Sequence, residues 1–451
     1  MLDDEIYKYL KEAGPIFYVT PTAGKAIGLE GVLPDYHIVC CRKPRNVELL
    51  RKAGAKVFCL EKDFKNSGKI LSDPEVTDYI KANSQGKRPN ILTFKPSPMI
   101  EKVCEKNGFR YLGNDSKINR EWEDKIKFAE ITGALGVANA YSRIVKIEKE
   151  KIEELRSSPD FSEGKKYVVQ FSRGYSGNST FIVDGEREFS LILQENVGRK
   201  MKIADFVEGD TYTFDVCIGD FGFAASQPIF QITGFPELNG NALGTCGNDF
   251  AFSSGLGGEA RKDLQSVIEK VVDKISSVGY RGILGFDFVV GESGVHLIEV
   301  NPRLVGSVPV FTKLQLAAGE IPLLLLHILS FLDFDFRDLE IKESARDFAF
   351  SQLILRNVTN APLVVEKSMR SGIYKMDGGG AASFAREAYF ADETMERREF
   401  FVECAAEGES VDPDMEYANI QVACGIMESR NSFTKDFAKI KETVFKNIIL
   451  S

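Results

Sequence analysis

The chain has 451 residues, more than one ordinary core organises, and a prior of about 150 residues per domain points to three units. With 57 Lys and Arg against 66 Asp and Glu, the net charge is -9, which disfavours a nucleic-acid backbone or an anionic membrane surface as partner. The 43% hydrophobic and 27% charged residues are those of a globular protein, without repeats or low-complexity tracts.

The opening MLDDEIYKYLKEAG carries acids where a signal peptide carries bases, so a cytoplasmic protein is expected. Over residues 1–115, PIFYVT, YHIVCC, KVFCL and NILTF alternate with helix-like pieces, the order of an α/β unit with a parallel sheet. TPTAGKAIG after the first of these does not match G-x-G-x-x-G and reads as a tight strand-to-helix turn. Cysteines 40, 41, 59, 104, 217, 246, 404 and 424 form no C-x-x-C pair, which fits reduced thiols. His37, His296 and His327 are far apart, so neither histidine acid/base chemistry nor a His-rich metal site is expected.

NREWEDKIKFAEITGALG predicts one helix from about 119 to 133, with Lys125 and Lys127 on different faces. After the charged linker EKEKIEELRSS, the strand-like YVVQF and TFIVD flank S-R-G-Y-S-G-N-S. That loop is rich in N–H groups and hydroxyls and suits an anion, but it is not a P-loop: no G-K-[ST] ending is present. Residues 201–218 read as a strand pair broken at Glu208-Gly209-Asp210, and 231–250 as a long irregular loop that binds a substrate or simply connects. An amphipathic helix is predicted over 259–278, capped by Gly279. The apolar run 321–334 is shorter than the roughly 20 residues that cross a bilayer and reads as a buried helix. Beyond 345, short strands and Gly clusters precede a closing helix, a third, α+β unit.

The segment GILGFDFVV-GESG-VHLIEVNPR carries the chemistry. Alternation places Glu299, Asn301 and Arg303 on one face of an extended chain. A three-residue loop with Gly294 left-handed would pair Gly291 with Val295 and set Asp287 opposite Glu299; a two- or four-residue loop would set Ile298 there instead. Facing carboxylates call for a cation between them, and hard oxygens from Asp287, Glu299 and Asn301 favour magnesium or manganese over zinc. Arg303 is the natural ligand of a phosphate oxygen. His296 is expected on the opposite face, and Asp205, Asp215 and Asp249 read as surface acids.

These residues resemble the ATP-grasp superfamily, and GYRGILGFDF…LIEVNPR is especially similar to biotin carboxylases and carbamoyl-phosphate synthetases. The resemblance implies a pre-ATP-grasp α/β domain (1–115), a two-lobed ATP-grasp fold (116–345; glycine-loop lid about 140–205, metal-binding lobe about 206–345) and a small α+β C-terminal domain (346–451). It implies ATP and Mg2+ (or Mn2+) as cofactors, small carboxylate and amine substrates, and leaves room for a homodimer. By the same resemblance Asp287, Glu299 and Asn301 match metal ligands, and Arg303 and Lys125 match catalytic cations at the transferred phosphate. Arg173, Gly174, Ser176 and Gly177 match the flexible loop over the triphosphate, and Lys202, Phe206, Val207 and Glu208 the hinge region beside adenine. Gln170 stands where the family commonly has a second lysine, so Arg173 or Lys202 is left to compensate; Thr211 stands where many members have a ribose-binding glutamate. The implied activity is an ADP-forming ligase that makes an amide through an acyl phosphate. A biotin-carboxylase-like subunit and a nucleotide-binding regulatory protein without turnover are the alternatives.

Overall fold

The computed structural model describes residues 3–41, 46–137, 142–156, 165–172, 180–252, 256–341, 347–378, 380–392 and 394–451. Strands β1 (Ile16–Val19), β2 (Tyr36–Cys41), β3 (Lys56–Leu60), β4 (Asn90–Thr93) and β5 (Arg110–Tyr111) form a parallel sheet of order β3-β2-β1-β4-β5. Alternation splits these strands between two cores: Tyr18 and Ile38 pack on one side, Phe17, Val19 and Val39 on the other. Helices therefore cover both faces, which is why the strands read as unbroken apolar runs. His37 is buried, shares a hydrogen bond with Tyr79 Oη (2.8 Å), and is held neutral by burial, its pKa lowered to about 4.

The helix expected over 119–133 is two, Ser116–Trp122 and Lys125–Ala134. Asp124 divides them, because its carboxylate accepts from the N–H groups of Ile126 and Lys127 and starts a new helix at Lys125. Next come β6 (Ser142–Lys146), β7 (Tyr167–Phe171), β8 (Thr180–Val183) and β9 (Lys200–Asp205), an antiparallel sheet of order β6-β9-β7-β8 with its own small core of Ile147, Val169, Phe171, Leu193 and Ile203.

The largest sheet holds β10 (Asp210–Gly219), β11 (Gly222–Ala225), β12 (Ile229–Ile232), β13 (Gly247–Asp249), β14 (Gly282–Gly291) and β15 (Gly294–Asn301). It continues without a break into β16 (Ser351–Arg356), β18 (Gly372–Met376), β19 (Ala382–Arg386), β20 (Glu399–Cys404) and β22 (Glu416–Val422), while β17 (Leu363–Lys367) and β21 (Ser410–Val411) pair beside it. The order is β15-β14-β10-β12-β13-β16-β22-β20-β18-β19, with β11 on β10. Strands on both sides of residue 345 thus share one sheet, joined where β13 pairs β16. One face packs on the helix Gly258–Ser276 through Leu264, Ile268, Val271 and Ile275. The other packs at one end on the helix Leu323–Phe331, every residue of which is buried after Pro322. Among the described residues, no helix is long and apolar enough to cross a membrane. His327 in that helix is a packing residue: its Nδ1 accepts from the Ile283 N–H at 2.9 Å and its Nε2 meets Leu112 O at 3.1 Å.

Asp215 and Asp249, expected at the surface, are both fully buried. Asp249 accepts four backbone N–H groups, from Ala251, Phe252, Ile426 and Met427 at 2.7–3.0 Å, and so ties β13 to the chain after β22. Asp249→Ala strands those donors and is expected to destabilise the protein by about 3–5 kcal/mol, read from urea midpoints at constant m-value. A loss below about 1 kcal/mol would mean that water replaces the carboxylate.

Candidate active site

The hairpin β14–β15 turns on two residues, Glu292 and Ser293, with Gly291 opposite Gly294 at φ +100°. The loop is one residue shorter than expected. Asp287 nevertheless faces Glu299, because the register slips between Asp287 and Phe288 and leaves Ile298 as a bulge. A bulge inserts one residue and re-aims those beyond it. Val295, Leu297 and Val300 all enter the core, so Glu299 and Asn301 point the other way. So does His296, which corrects the expected opposite placement; its Nε2 meets Ser293 Oγ at 2.9 Å.

Asp287 is half-buried and heavily bonded. Gln231 Nε2 donates to its Oδ1 at 2.5 Å, Asn301 Nδ2 to its Oδ2 at 2.9 Å, and Thr213 is its partner on β10. Burial, then the charge of Glu299, pushes its pKa up to about 6. Two carboxylates forced together on one sheet face repel each other and call for positive charge around them. They offer hard oxygens of the kind magnesium takes, few in number, so these residues fit that ion. Among the described residues no cluster of three or more His, Cys, Asp or Glu is present that could hold a metal unaided. Asn301 Oδ1 accepts from Arg303 Nη2 at 2.8 Å while its Nδ2 donates to Asp287, so its amide bridges Arg303 to Asp287.

Three cations surround the pair. Lys125 Nζ lies 3.1 Å from Glu299 Oε1, placed by its position as the first residue of its helix. Lys202 is the register partner of Gln170 across β7 and β9 and is 7% exposed. Burial, then the neighbouring charge of Lys125, lowers its pKa to about 8 against the pull of Glu299. The lysine missing at position 170 is thus matched by one directly opposite. Gln170 itself donates to Thr180 Oγ1 at 3.3 Å.

Arg303 is fixed by Glu123 (Nε to Oε1, 3.1 Å), by the carbonyl of Leu304, and by the ring of Phe94, 5.3 Å from its guanidinium carbon. Glu123 also holds Lys95 at 2.5 Å; burial works upward on its carboxyl, but Arg303 and Lys95 outweigh it and keep the pKa below its ordinary value. Neither Glu123 nor Gln231 stood out in the sequence. Their neighbours here are 180 and 56 residues away, so local spacing carried no signal.

Phe206, Val207 and Glu208 follow β9, with the Phe206 N–H on Lys166 O at 3.1 Å and the exposed Glu208 3.8 Å from Arg430. This connection runs against the tip of the β14–β15 hairpin. A Cβ on Gly209 would meet Val290 O at 2.4 Å and one on Gly291 would meet Glu208 O at 2.1 Å, so both positions require glycine. Arg173, Gly174, Ser176 and Gly177 lie outside the described residues. Behind the carboxylates, Asp215 accepts from Ser307 Oγ at 2.7 Å, and burial drives its pKa up to about 7.

Residues 123–307 match the family model described as an ATP-grasp domain. The arginine-specific large chain of carbamoyl phosphate synthase from Bacillus subtilis is 23% identical over 261 residues, which is 56% of this chain and 24% of that protein. The [butirosin acyl-carrier protein]–L-glutamate ligase of Niallia circulans is 27% identical over 146 residues, 31% of this chain and 33% of that protein. The chain therefore spans about a quarter to a third of the length of these curated relatives. Among solved structures, the biotin carboxylase domain of the Hydrogenobacter thermophilus 2-oxoglutarate carboxylase, determined as a dimer with MgADP, ADP and bicarbonate, superposes with a TM-score of 0.62 at 14% identity, covering 97% of this chain and 91% of that one. That likeness shows the fold: α/β and α+β, with a parallel sheet ahead of the antiparallel ones. The match takes in Lys125, Lys202, Asp287, Glu299, Asn301 and Arg303, so residues 123–307 of this chain form an ATP-grasp domain.

Proposed function

We propose that this protein is an ADP-forming ligase that uses MgATP to activate a small carboxylate as an acyl phosphate and joins it to an amine or thiol. The observation that carries this reading is the facing pair Asp287–Glu299 ringed by Lys125, Lys202 and Arg303 within an ATP-grasp domain. Asp287 and Glu299 would hold magnesium, which supplies charge neutralisation at the transferred phosphoryl group. Lys125 and Lys202 would then bind phosphate oxygens, Lys125 leaving Glu299 to do so. Arg303, anchored by Glu123 and Asn301, presents a fixed guanidinium to the carboxylate and to the phosphoryl oxygens moving onto it. No side-chain nucleophile is needed. Phe206, Val207 and Glu208 would flank the base, and the loop containing Arg173, Gly174, Ser176 and Gly177 would cover the phosphates.

The test is ADP and phosphate release from MgATP with and without a pool of amino acids and small carboxylates, with products read by mass spectrometry. Pool-dependent ADP together with a new amide or thioester mass is the expected result. A phosphorylated small molecule as final product would replace the ligase with a kinase-like activity. Tight MgATP binding without turnover for any carboxylate would favour a regulatory nucleotide-binding protein.

A further inference from the structure

The sheet face that carries Asp287 continues well past it. Cross-strand partners point to the same face, and one register row runs through Gln231 on β12, Asn248 on β13, Gln352 on β16 and Gln421 on β22. Their strand neighbours Phe230, Ile232, Leu353, Ile420 and Val422 all enter the core on the far side, so the four carboxamides share the carboxylate side. Gln231 joins the row to the site through its bond to Asp287. At the far end Gln421 Oε1 accepts from the Ala391 N–H at 3.1 Å, which fixes that side chain and leaves its NH2 group to spare.

The middle of the row is unspent. Gln352 is only 9% exposed and Asn248 is half-buried, yet among the described residues neither side chain makes a hydrogen bond. Asn419, on the same face two residues from Gln421, has a buried Oδ1 with no partner. Asn419 Oδ1 is closed off from solvent and unpaired, and the amides of Asn248 and Gln352 remain open to a partner, so the run asks for a ligand that pairs it. Each offers a donor and an acceptor and no charge. Four adjacent strands at about 4.8 Å spacing make a row about 14 Å long.

The geometry points to an acceptor slot: the row binds an extended, uncharged chain of secondary amides and delivers its nucleophilic end to Arg303 and the facing carboxylates. This rests on the ligase reading and adds the class of acceptor to it. The four carboxamides carry no charge of their own with which to select a free carboxylate or ammonium, and an alkyl chain would leave them unpaired. Two sources share the required chemistry, a short peptide and a pantetheine arm, which carries two amides and ends in a thiol.

The experiment is saturation-transfer NMR on the full chain with MgADP present, using triglycine and pantetheine as probes and hexylamine as the apolar control. Binding of at least one amide probe, none of hexylamine, and a tenfold or greater rise in the probe's Kd in Asn248→Leu and in Gln352→Leu are expected, with MgADP affinity unchanged. Triglycine alone assigns a peptide and pantetheine alone a carrier thiol. Absence of both, or equal binding in the folded variants, overturns the slot. If Gln352→Leu fails to fold, the half-buried Asn248→Ala decides in its place. Failure of the parent to bind MgADP would overturn the nucleotide reading separately, since the amide titration is repeated without nucleotide.

Discussion

Glu299→Gln is expected to fold like the parent and to lose at least about a hundredfold in MgATP-dependent turnover, a loss that extra magnesium only partly restores. The substitution keeps the shape and removes the charge. Among the described residues the partner of Glu299 is Lys125, at 3.1 Å across a partly exposed gap, so stability has little to lose. Asp287→Asn separates the two roles. Asp287 accepts from Gln231 on one oxygen and from Asn301 on the other, and an amide in its place turns an NH2 toward one of those donors. It should therefore lose turnover and also about 1–3 kcal/mol of stability, which thermal unfolding would register. If Glu299→Gln stays active while folded, the carboxylate pair is not the metal site; if the two variants are equally stable, the hydrogen-bond scheme around Asp287 is wrong.

The two carboxylates were legible in the sequence because strand alternation is local. The loop length was not, and its misreading was cancelled by the bulge at Ile298, which no pattern in LIEVN announces: a one-residue loop error and a one-residue bulge leave Asp287 and Glu299 face to face. The same bulge hid the side on which His296 lies. What the sequence could not show were partners brought from far away. Glu123 sits where a single continuous helix was expected, and only the break at Asp124 turns it toward Arg303. Asp215 and Asp249 read as surface acids because an isolated Asp in a mixed run carries no sign of burial; in the fold four backbone N–H groups satisfy Asp249, while Asp215 accepts from Ser307 on one oxygen and is pushed toward its neutral form by burial. Likewise the row of carboxamides is assembled by pairings remote in sequence, Asn248 with Gln352 and Gln352 with Gln421.

Lys202 should make nucleotide affinity depend on pH in a direction opposite to that of a carboxylate that must ionise to hold a metal. Its pKa is lowered to about 8, first by burial and then by Lys125, so in the free protein it carries its charge below pH 8 and loses it above. A bound triphosphate favours the charged form and raises that pKa. Linkage then requires proton uptake on binding above pH 8, and the Kd for MgADP or MgATP should rise by up to about tenfold per pH unit between pH 8 and the bound-state pKa, while staying flat from pH 7 to 8. Lys202→Met should weaken binding at pH 7 by about ten- to a hundredfold, the worth of a charge-assisted hydrogen bond, and abolish the slope. Lys202→Arg should restore much of the affinity with no slope, because a guanidinium stays charged throughout. Position 170 supplies the decisive control, since Gln170 and Lys202 face each other across β7 and β9. In the swapped variant Gln170→Lys with Lys202→Met, one lysine returns on the neighbouring strand, and affinity at pH 7 should recover to within a few-fold of the parent. Calorimetric titrations of the four proteins at pH 7, 8 and 9 would decide it: a swap that stays as weak as Lys202→Met would mean that Lys202 serves the site by packing beside Lys125 and not by its charge.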